Sequence, residues 1–595
     1  MSRCVLAIDL GSSGVKVAVV DPEGAVRGGA GEGLPTVLVA GDGAEQDPAV
    51  WWDVIGRCSR RALQTTGTAA AQIGMVAVTS QYTSTVAVDA GGLPVANAIM
   101  WMDGRTGAHH PFGSRQATEQ RELLACWVER HGMPAGPGDV LGQMAFIRTC
   151  WPDVWHEAAA LVQPVDHLLA RITGVVAANQ NTAFPSLLVD NRGWNTTEYS
   201  DELLARSGAD ASRLPVLQPF GVPRGMVTAD AAEHLGITTA AMAMGGTIDT
   251  TTSAVGTGAI DDSTRGLMIG TTAVVLAHVA GKREDLAHAI TSAPSPVPGR
   301  YVLIAENGTG GKALDVFVNN VMYPDDGLTD PRPADAFERV VAAAATVPSG
   351  ANGVLFLPWL VGSMAPQFDR HQRGAFLGLG LASNRADMAR AVLEGVALNL
   401  ARLVPHVTAV AGCGDVPIRF GGGGAASSLW GQILADATGS TVHRLADPGF
   451  TNCRGAALVA LAESGAVDWG DIPGLVRVAE VHEPDPVAVQ RYAPLVAAFG
   501  EFQQLTDWSV AMPHMSPPST STSSCSMSTM PSSITRVRAS AVRTTRPSSK
   551  CMTTSRPPKM ARTRAPVSIV FHAPPLSPLL HLSVPSSSTM HAPRS

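Results

Sequence analysis

The segment at residues 6–20 limits the possible folds of this chain more than any other. It reads Leu-Ala-Ile-Asp-Leu-Gly-Ser-Ser-Gly-Val-Lys-Val-Ala-Val-Val, which predicts an apolar strand, a Gly/Ser turn and a second apolar strand. The N–H groups of such a turn, with the Ser12 and Ser13 hydroxyls, can cradle phosphate oxygens. Asp9, near the end of the first strand, is placed to hold a hydrated Mg²⁺ beside that phosphate. A plain hairpin with a glycine turn is the alternative.

Length and composition favour a large α/β protein. The chain has 595 residues, 45% of them hydrophobic, with 60 glycines and 42 prolines, which is typical of many turns between strands and helices. We find no apolar run of about 18 residues and no basic leader, so we expect neither a membrane span nor a secretory signal. The eight cysteines form no Cys-x-x-Cys pair, which argues against cysteine-based zinc or disulfide frameworks and predicts a cytoplasmic location.

The net charge of −7 combines two different regions. Residues 508–595 contain no Asp, Glu or Gly but ten Lys and Arg, so residues 1–507 carry a charge of −17. An acidic body argues against nucleic acid as a partner. The tail is rich in Ser, Thr and Pro and lacks the periodicity of a core, so we expect it to be disordered. One hypothesis is that its codons are read out of frame.

The body contains a second hairpin of the same kind. Residues 266–276 read Gly-Leu-Met-Ile-Gly-Thr-Thr-Ala-Val-Val-Leu, again a strand, a small-residue turn and a strand. The repetition predicts two related domains, which we place at 1–244 and 245–507. Two such domains would face each other across a cleft, which is a favoured position for ligand sites.

Periodicity predicts the main elements of both halves. Asp47 and Pro48 are suited to begin an amphipathic helix, in which Trp51 and Trp52 are expected to anchor the core rather than to stack on a sugar. Strands are predicted at 73–79 and 85–89, and helices at 48–63, 386–404 and 429–437.

An ordered series of motifs carries a family resemblance from about Val5 to Gln503. The motifs are residues 9–16 (DLGSSGVK), 45–48 (EQDP), 98–106 (AIMWMDGRT), 245–249 (GGTID), 270–272 (GTT), 356–362 (FLPWLVG), 373–379 (RGAFLGL), 391–397 (AVLEGVA) and 421–430 (GGGGAASSLW). The chain resembles the FGGY carbohydrate kinases, and within them the xylulokinase-like branch. The resemblance implies an α/β fold of two ribonuclease-H-like, actin-like ATPase domains, with ATP, Mg²⁺ and a sugar meeting in the cleft.

The resemblance also implies roles for two acids. Asp249 matches the family's catalytic base, and phosphoryl transfer to an alcohol does call for a carboxylate that accepts the hydroxyl proton. The alternative is that Asp249 only caps a helix at 250–254. Asp9 matches the acid that holds the metal ion beside the phosphates.

A larger set of residues matches the family's nucleotide site. Small residues and hydroxyls dominate it, because they allow close backbone approach to phosphates and base. The set comprises Ser12, Ser13, Lys16, Gly270, Thr271, Thr272, Gly311, Gly422, Gly423 and Ser427. For the last three, a simple turn before a helix is the alternative.

The sugar site departs from both known patterns. Xylulokinase-like members usually carry Gln-Met-His-Gly after the strand that here ends at Thr79. This chain instead has Gln81-Tyr82-Thr83-Ser84, with Thr83 in place of the histidine. The Arg-Glu pair of glycerol kinases is also absent. Gln81, Tyr82, Thr83 and Asp103 are the predicted hydroxyl contacts, although Tyr82 has a core alternative and Asp103 could instead pair with Arg105.

These observations predict an ATP- and Mg²⁺-dependent sugar kinase. A pentulose such as xylulose is the first substrate candidate, with other ketoses, polyols and aldonates as further ones. The alternatives are a catalytically inactive sugar sensor and an ATP-driven switch of the actin or Hsp70 kind. The resemblance also implies a homodimer, and neither nucleic acid nor a membrane is an expected partner.

Overall fold

Two large sheets with helices against their faces form most of the fold, and the strand predicted at 85–89 is a short strand, Val86–Val88, of a separate small sheet. A computed structural model describes residues 3–113, 115–136, 138–328 and 330–505, and these belong to one structural unit, Met1–Pro517. The predicted tail at 508–595 lies outside the described residues. None of the described helices combines the length and the apolar character needed to cross a bilayer.

The elements of the first half run as follows in chain order. They are β1 (Cys4–Gly11), β2 (Gly14–Val20), β3 (Val26–Gly33), β4 (Val37–Val39), β5 (Gly43–Gln46), α1 (Pro48–Thr66), β6 (Ile73–Ser80), β7 (Val86–Val88), β8 (Ala98–Ile99), α2 (Ala117–Arg130), α3 (Val140–Cys150), α4 (Pro152–Glu157), β9 (Ala160–Val162), α5 (Pro164–Thr173), β10 (Ala177–Asn179), α6 (Gln180–Ala183), α7 (Asp201–Ser207), β11 (Val216–Gln218), β12 (Gly225–Met226), α8 (Ala229–Leu235), β13 (Met242–Ala243) and β14 (Thr247–Ile248).

The elements of the second half follow without a long linker. They are α9 (Asp249–Thr257), β15 (Arg265–Ile269), β16 (Thr272–Ala280), β17 (Thr291–Pro294), β18 (Arg300–Thr309), α10 (Gly311–Phe317), α11 (Ala336–Ala345), β19 (Leu355–Leu357), β20 (Ala375–Leu377), α12 (Arg385–Ala411), β21 (Ile418–Gly421), α13 (Ser428–Thr438), β22 (Val442–Leu445), α14 (Thr451–Glu463), α15 (Ile472–Leu475), β23 (Val478–His482) and α16 (Pro486–Leu505).

The two large sheets repeat one strand path. The first has the order β12-β13-β6-β1-β2-β3, with β14 also paired to β6, and the second has β17-β18-β16-β15-β21-β22-β23. In each, a hairpin continues into a third antiparallel strand, and a later strand joins the hairpin's first strand in parallel. The paths β3-β2-β1-β6 and β18-β16-β15-β21 therefore correspond, as the two sequence hairpins predicted.

The first sheet is covered on both faces because its central strands are apolar on both sides. Leu6 and Ile8 belong to a core shared with α1, where Trp51 is fully buried, so the predicted core role of this helix is confirmed. Val5 and Ala7 point to the opposite face and pack with residues of α14 from the second half. A helix of one half thus lies against the sheet of the other.

Helices α9 and α14 cross at two glycines. A Cβ at Gly455 would lie 1.9 Å from the carbonyl oxygen of Thr252, and one at Gly256 would lie 2.1 Å from that of Thr451. Such distances leave no room for any side chain, so the two backbones are in direct contact. The first turn of each helix therefore lies against a later turn of the other.

Candidate active site

Strand register brings Asp9 and Asp249 to the same edge of the first sheet. Asp9 on β1 pairs with Thr79 on β6, and Thr79 pairs with Thr247 on β14. Neighbouring strands lie about 4.8 Å apart, so Thr247 is about 10 Å from Asp9 across the sheet. Asp249 follows two residues later and begins α9. The sequence suggested that Asp249 opens the second half, but its strand β14 belongs to the first sheet because it pairs with β6.

Asp9 lies in a largely protein-lined position. Its exposed fraction is 8%, and its register partner across the hairpin is Lys16. Burial raises the pKa of Asp9 to about 6, while the positive charge of Lys16 and a hydrogen bond from Asn452 at the start of α14 act in the opposite direction. Lys16 itself donates from Nζ to the carbonyl oxygen of Gly449, at 2.8 Å, and so connects the two halves next to the acid.

One oxygen of Asp9 fits a hard cation. Its Oδ1 atom is buried and has no hydrogen-bond partner among the residues that the structure describes. Leaving a buried carboxylate oxygen bare costs free energy, and Mg²⁺ prefers one or two carboxylate oxygens together with water and phosphate oxygens. Asp9 therefore suits the Mg²⁺ that the sequence resemblance implies.

Asp249 is surrounded by negative charge. Burial, Asp9 and Glu306, in that order, raise the pKa of the Asp249 carboxyl to about 8, against hydrogen bonds from the backbone N–H and hydroxyl of Thr250. Asp9 and Glu306 are thus the charged groups that raise the pKa of Asp249, and we refer to the space between the three carboxyl groups as the crevice. Helix α9 does begin at Asp249, as the capping alternative expected, yet the residue before the helix is Ile248 and makes no side-chain cap.

Glu306 is a crevice residue that the sequence analysis missed. It lies on β18 opposite Val274, and burial raises the pKa of its carboxyl against a hydrogen bond from Thr272. Burial is the main cause of the raised pKa of Tyr82, and the negative charges of Glu306 and Asp249 raise it further. A lone acid after the apolar run Tyr301–Ala305 was a signal that could have identified it.

The second hairpin packs tightly on the start of α10. Gly311 donates its backbone N–H to the carbonyl oxygen of Gly270 at 2.8 Å, and Gly310 donates to that of Thr271 at 3.1 Å. A Cβ at Gly311 would lie 2.6 Å from the Gly270 oxygen. Glycine is therefore required here for packing against the hairpin, and the Gly311 N–H binds within the protein. The assignment of Gly311 to the nucleotide site stays a prediction. Thr272 reaches Glu306 and so joins this hairpin to the acids.

Gln81, Ser12 and Trp101 form a polar group beside the first hairpin. The Ser12 hydroxyl donates to Gln81 Oε1 and accepts from Trp101 Nε1, both at 2.8 Å. The sequence assigned Ser12 to the phosphates, but the structure places its hydroxyl with the predicted sugar residues. Trp101 is 44% exposed. The sequence analysis named Trp101 only within the motif at 98–106, because the exposure of a single tryptophan cannot be predicted from sequence.

Thr83 adopts a strained backbone conformation. Its φ is +59°, which is unusual for a β-branched residue and costs about 1–3 kcal/mol. Two buried glutamines hold it there: the Thr83 N–H donates to Gln163 Oε1 at 2.9 Å, and Gln143 Nε2 donates to the Thr83 oxygen at 2.8 Å. The loop that carries Gln81 and Tyr82 is thus fixed by buried neighbours.

Asp103 is buried and paired within the protein. Its side chain has 0% exposure and forms an ion pair with Arg105 at 2.6 Å. It also accepts from the backbone N–H of Ala44 at 2.9 Å. The pairing with Arg105, which the sequence analysis gave as the alternative, is therefore present, and the sugar contact at Asp103 stays a prediction.

The glycine-rich loop after β21 touches the second hairpin. Gly422 has a φ of +84°, and a Cβ there would lie 2.6 Å from the carbonyl oxygen of Ile269, directly before Gly270. A Cβ on Gly423 would face open space. Ser427 caps α13 by accepting from the Trp430 N–H at 3.2 Å, so the turn-before-helix alternative describes this residue. Ser13 is exposed at the first hairpin's tip.

Comparisons with known proteins give the class. The models of the N-terminal and C-terminal domains of the FGGY family of carbohydrate kinases match residues 4–256 and 267–464. A xylulose kinase of Staphylococcus epidermidis is 27% identical, covering 85% of this chain and 98% of that protein. A glycerol kinase of Gloeobacter violaceus is 28% identical, covering 83% and 95%. The crystal structure of a xylulose kinase from Rhodospirillum rubrum has 25% identity and a TM-score of 0.68, covering 86% and 99%.

The chain belongs to the FGGY family of carbohydrate kinases, and its two repeated sheets are the two-domain, actin-like fold of that family. It is therefore a sugar kinase. The N-terminal family model ends at residue 256, in the last turn of α9, whereas we predicted a boundary at 244, and that boundary stays a prediction.

Proposed function

We propose that this protein transfers the γ-phosphoryl group of ATP to a hydroxyl of a sugar, with Asp249 as general base and Mg²⁺ held at Asp9. The observation that carries the proposal is that Asp9 and Asp249 lie at the same edge of the first sheet, together with the effect of Asp9 on the pKa of Asp249. Two acids with different surroundings can take different roles. Asp9 has a bare oxygen for a cation, and Asp249 has raised proton affinity.

Asp249 is suited to accept a proton. A base works best when its pKa lies near the working pH, and the value of about 8 meets that condition. Its first-turn position on α9 fixes the carboxyl beside the crevice, and the hydrogen bonds from Thr250 orient it. When the sugar hydroxyl attacks the phosphoryl group, the Asp249 carboxylate takes its proton.

The phosphates would lie between the two hairpins. The first hairpin contributes its exposed tip with Ser13, and the second contributes Thr271 and Thr272. Mg²⁺, when bound at Asp9, would offset the negative charge of the transferring group. Closure of the two halves would exclude water, which otherwise competes with the sugar for the phosphoryl group.

The sugar side favours a polyhydroxy substrate. Gln81, Ser12 and Trp101 offer neutral donors and acceptors, with an exposed indole that could cover an apolar sugar face. Xylulose is the first candidate, since xylulose kinases are among the similar proteins. Thr83 in place of the usual histidine keeps ketohexoses, polyols and aldonates in the comparison.

The test is sugar-dependent ADP release by the full-length chain with Mg²⁺ and ATP, over pentuloses, hexuloses, polyols and aldonates. We expect one sugar class to stimulate release well above the sugar-free rate, with phosphosugar formed in equal amount. If a sugar binds but no sugar of the panel is phosphorylated, the result would instead favour the inactive sensor. ADP release that no sugar changes would favour the ATP-driven switch.

A further inference from the structure

Three metal-ligating side chains meet outside the candidate active site. Asp285 and His288 lie in the loop between β16 and β17, and His406 lies on α12. One ligand atom from each, a carboxylate oxygen or an imidazole nitrogen, lies within 4.8 Å of the others. The loop follows Ala280, at the opposite end of β16 from Thr272. At about 3.3 Å per residue, that strand separates this cluster from the phosphate hairpin by roughly 26 Å.

The fold holds the two segments of the cluster together by independent contacts. Asp285 and Ile290 exchange two backbone hydrogen bonds of 2.9 Å each, which close the loop. Arg283 donates from Nη1 to the carbonyl oxygens of Val410 and Ala411, at 2.9 and 3.1 Å, at the end of α12. The loop is therefore attached to the helix beside His406 before any metal is considered.

The three side chains already contact one another. Asp285 Oδ2 lies 2.6 Å from His288 Nδ1. The His288 and His406 rings stack, with centroids 3.7 Å apart and planes 22° from parallel. Two imidazoles and one carboxylate are thus gathered at one partly buried place. The nearest turn of α12 carries Arg402, but its guanidinium lies over the Phe499 ring, at 6.0 Å, and donates to Asn399.

We propose that Asp285, His288 and His406 bind one divalent ion of the zinc class. Two nitrogens and one oxygen are a donor set that suits Zn²⁺ and its neighbours Cu²⁺ and Ni²⁺, whereas Mg²⁺ prefers oxygen alone. Three protein ligands leave a fourth position for water. The ion replaces the proton between Asp285 and His288 and clamps the β16–β17 loop to α12. The site does not depend on the proposed kinase reaction.

The experiment uses the tag-free full-length chain, stripped with a chelator and studied without ATP or sugar. Bound Zn²⁺ is counted by equilibrium dialysis, and the melting temperature is measured with and without Zn²⁺. An ion that binds only the folded state raises the melting temperature. We expect wild type to bind one equivalent more than H406Q and H288Q. In these variants we expect Zn²⁺ to leave the melting temperature unchanged and the affinity for Zn²⁺ to fall at least about tenfold. Altering a residue that only hydrogen-bonds to a metal ligand already costs that much.

The matched control is H156Q, which alters an exposed histidine on α4 and should bind Zn²⁺ like wild type. D285N provides a third variant that keeps a polar side chain. Equal numbers of bound ions in wild type and in any folded cluster variant would overturn the proposal. So would a wild-type melting temperature that Zn²⁺ leaves unchanged, a result that requires no variant to fold.

Discussion

At the scale of single residues, the proposed chemistry depends on three carboxyl groups, those of Asp9, Asp249 and Glu306. Asp9, Asp249 and Glu306 come from three different strands or strand ends, and gathering like charges costs stability. The same repulsion raises the proton affinity of Asp249, which is the property a base needs. Under the proposed mechanism, the three acids lower the stability of the fold while they raise the proton affinity of the base, a combination that is common at functional sites.

The first prediction concerns pH. Asp249 accepts a proton only when it is deprotonated, so kcat/KM for the sugar should rise with pH, with a midpoint near its pKa of about 8. Removing a negative neighbour stabilises the carboxylate and lowers its pKa. E306Q, which retains an acceptor for Thr272, should therefore move the midpoint to lower pH. Steady-state kinetics from pH 5 to pH 10 would measure this, with E157Q on exposed α4 as control.

An unchanged midpoint in E306Q would show that Glu306 does not act on the base. A profile that falls as pH rises through this range would contradict a carboxylate base altogether.

The second prediction concerns Trp101. W101F keeps an aromatic face but loses the N–H that donates to Ser12, and W101A loses both. One hydrogen bond contributes about 0.5–1.5 kcal/mol, and about 1.4 kcal/mol is a tenfold change in binding. We expect the sugar KM to rise severalfold in W101F and about tenfold or more in W101A. The KM for ATP should not change, and a parallel rise in it would place Trp101 elsewhere than at the sugar.

Sequence alone predicted the residues that sit in short, ordered patterns. Asp9 and Asp249 end or follow apolar strands before turns, so their place at a strand edge was readable. The position of Asp103 could not be predicted in this way, because its burial depends on Arg105 and on a backbone N–H from Ala44. Glu306 and Trp101 were missed for a related reason, since only packing shows that one faces the acids and the other stays exposed.

At the scale of elements, local signals predicted most central helices and strands. The helix predicted at 48–63 is Pro48–Thr66, capped by Asp47, and the strand predicted at 73–79 is Ile73–Ser80. The helix predicted at 386–404 extends to Ala411 through Pro405, because burial along its length outweighs the lost hydrogen bond. The two-residue strand β14 escaped prediction, since its only support is pairing with β6.

The third prediction belongs to the crossing of α9 and α14. Alanine at Gly455 would place a Cβ 1.9 Å from the Thr252 carbonyl oxygen, so the helices must separate. We expect G455A to lower the free energy of unfolding by about 1–3 kcal/mol, measured by urea denaturation. G470A is the matched control, because a Cβ there meets no atom within 4 Å. Equal stability of the two variants would show that the crossing tolerates a wider spacing.

At the scale of the whole molecule, one strand path is used twice, and the site lies where the copies meet. Asp9 lies on a strand of the first sheet, and Asp249 directly follows another. Thr272 and Glu306 lie on strands of the second sheet, and α14 of the second half packs on the first sheet. Repetition of the hairpins made this duplication predictable. The packing of α14 on the first sheet could not be predicted, because its small apolar side chains do not specify which sheet they contact.

The fourth prediction is that residues 508–595 are dispensable. Every residue named for the active site precedes residue 453, and α16 ends at Leu505. A chain ended after Asp507 should therefore keep the sugar-dependent ADP release and the urea midpoint of the full-length protein. Loss of either would show that the tail contributes to the body.

The central claim, that Asp249 removes the proton from the sugar hydroxyl, is tested most directly by phosphoryl transfer in D249N. Label from [γ-³²P]ATP should move to the best sugar of the panel in wild type and in the control D53N, which alters an exposed residue of α1. D249N should be folded by circular dichroism and slower by about 10²–10⁴-fold. Wild-type transfer by folded D249N would contradict the account.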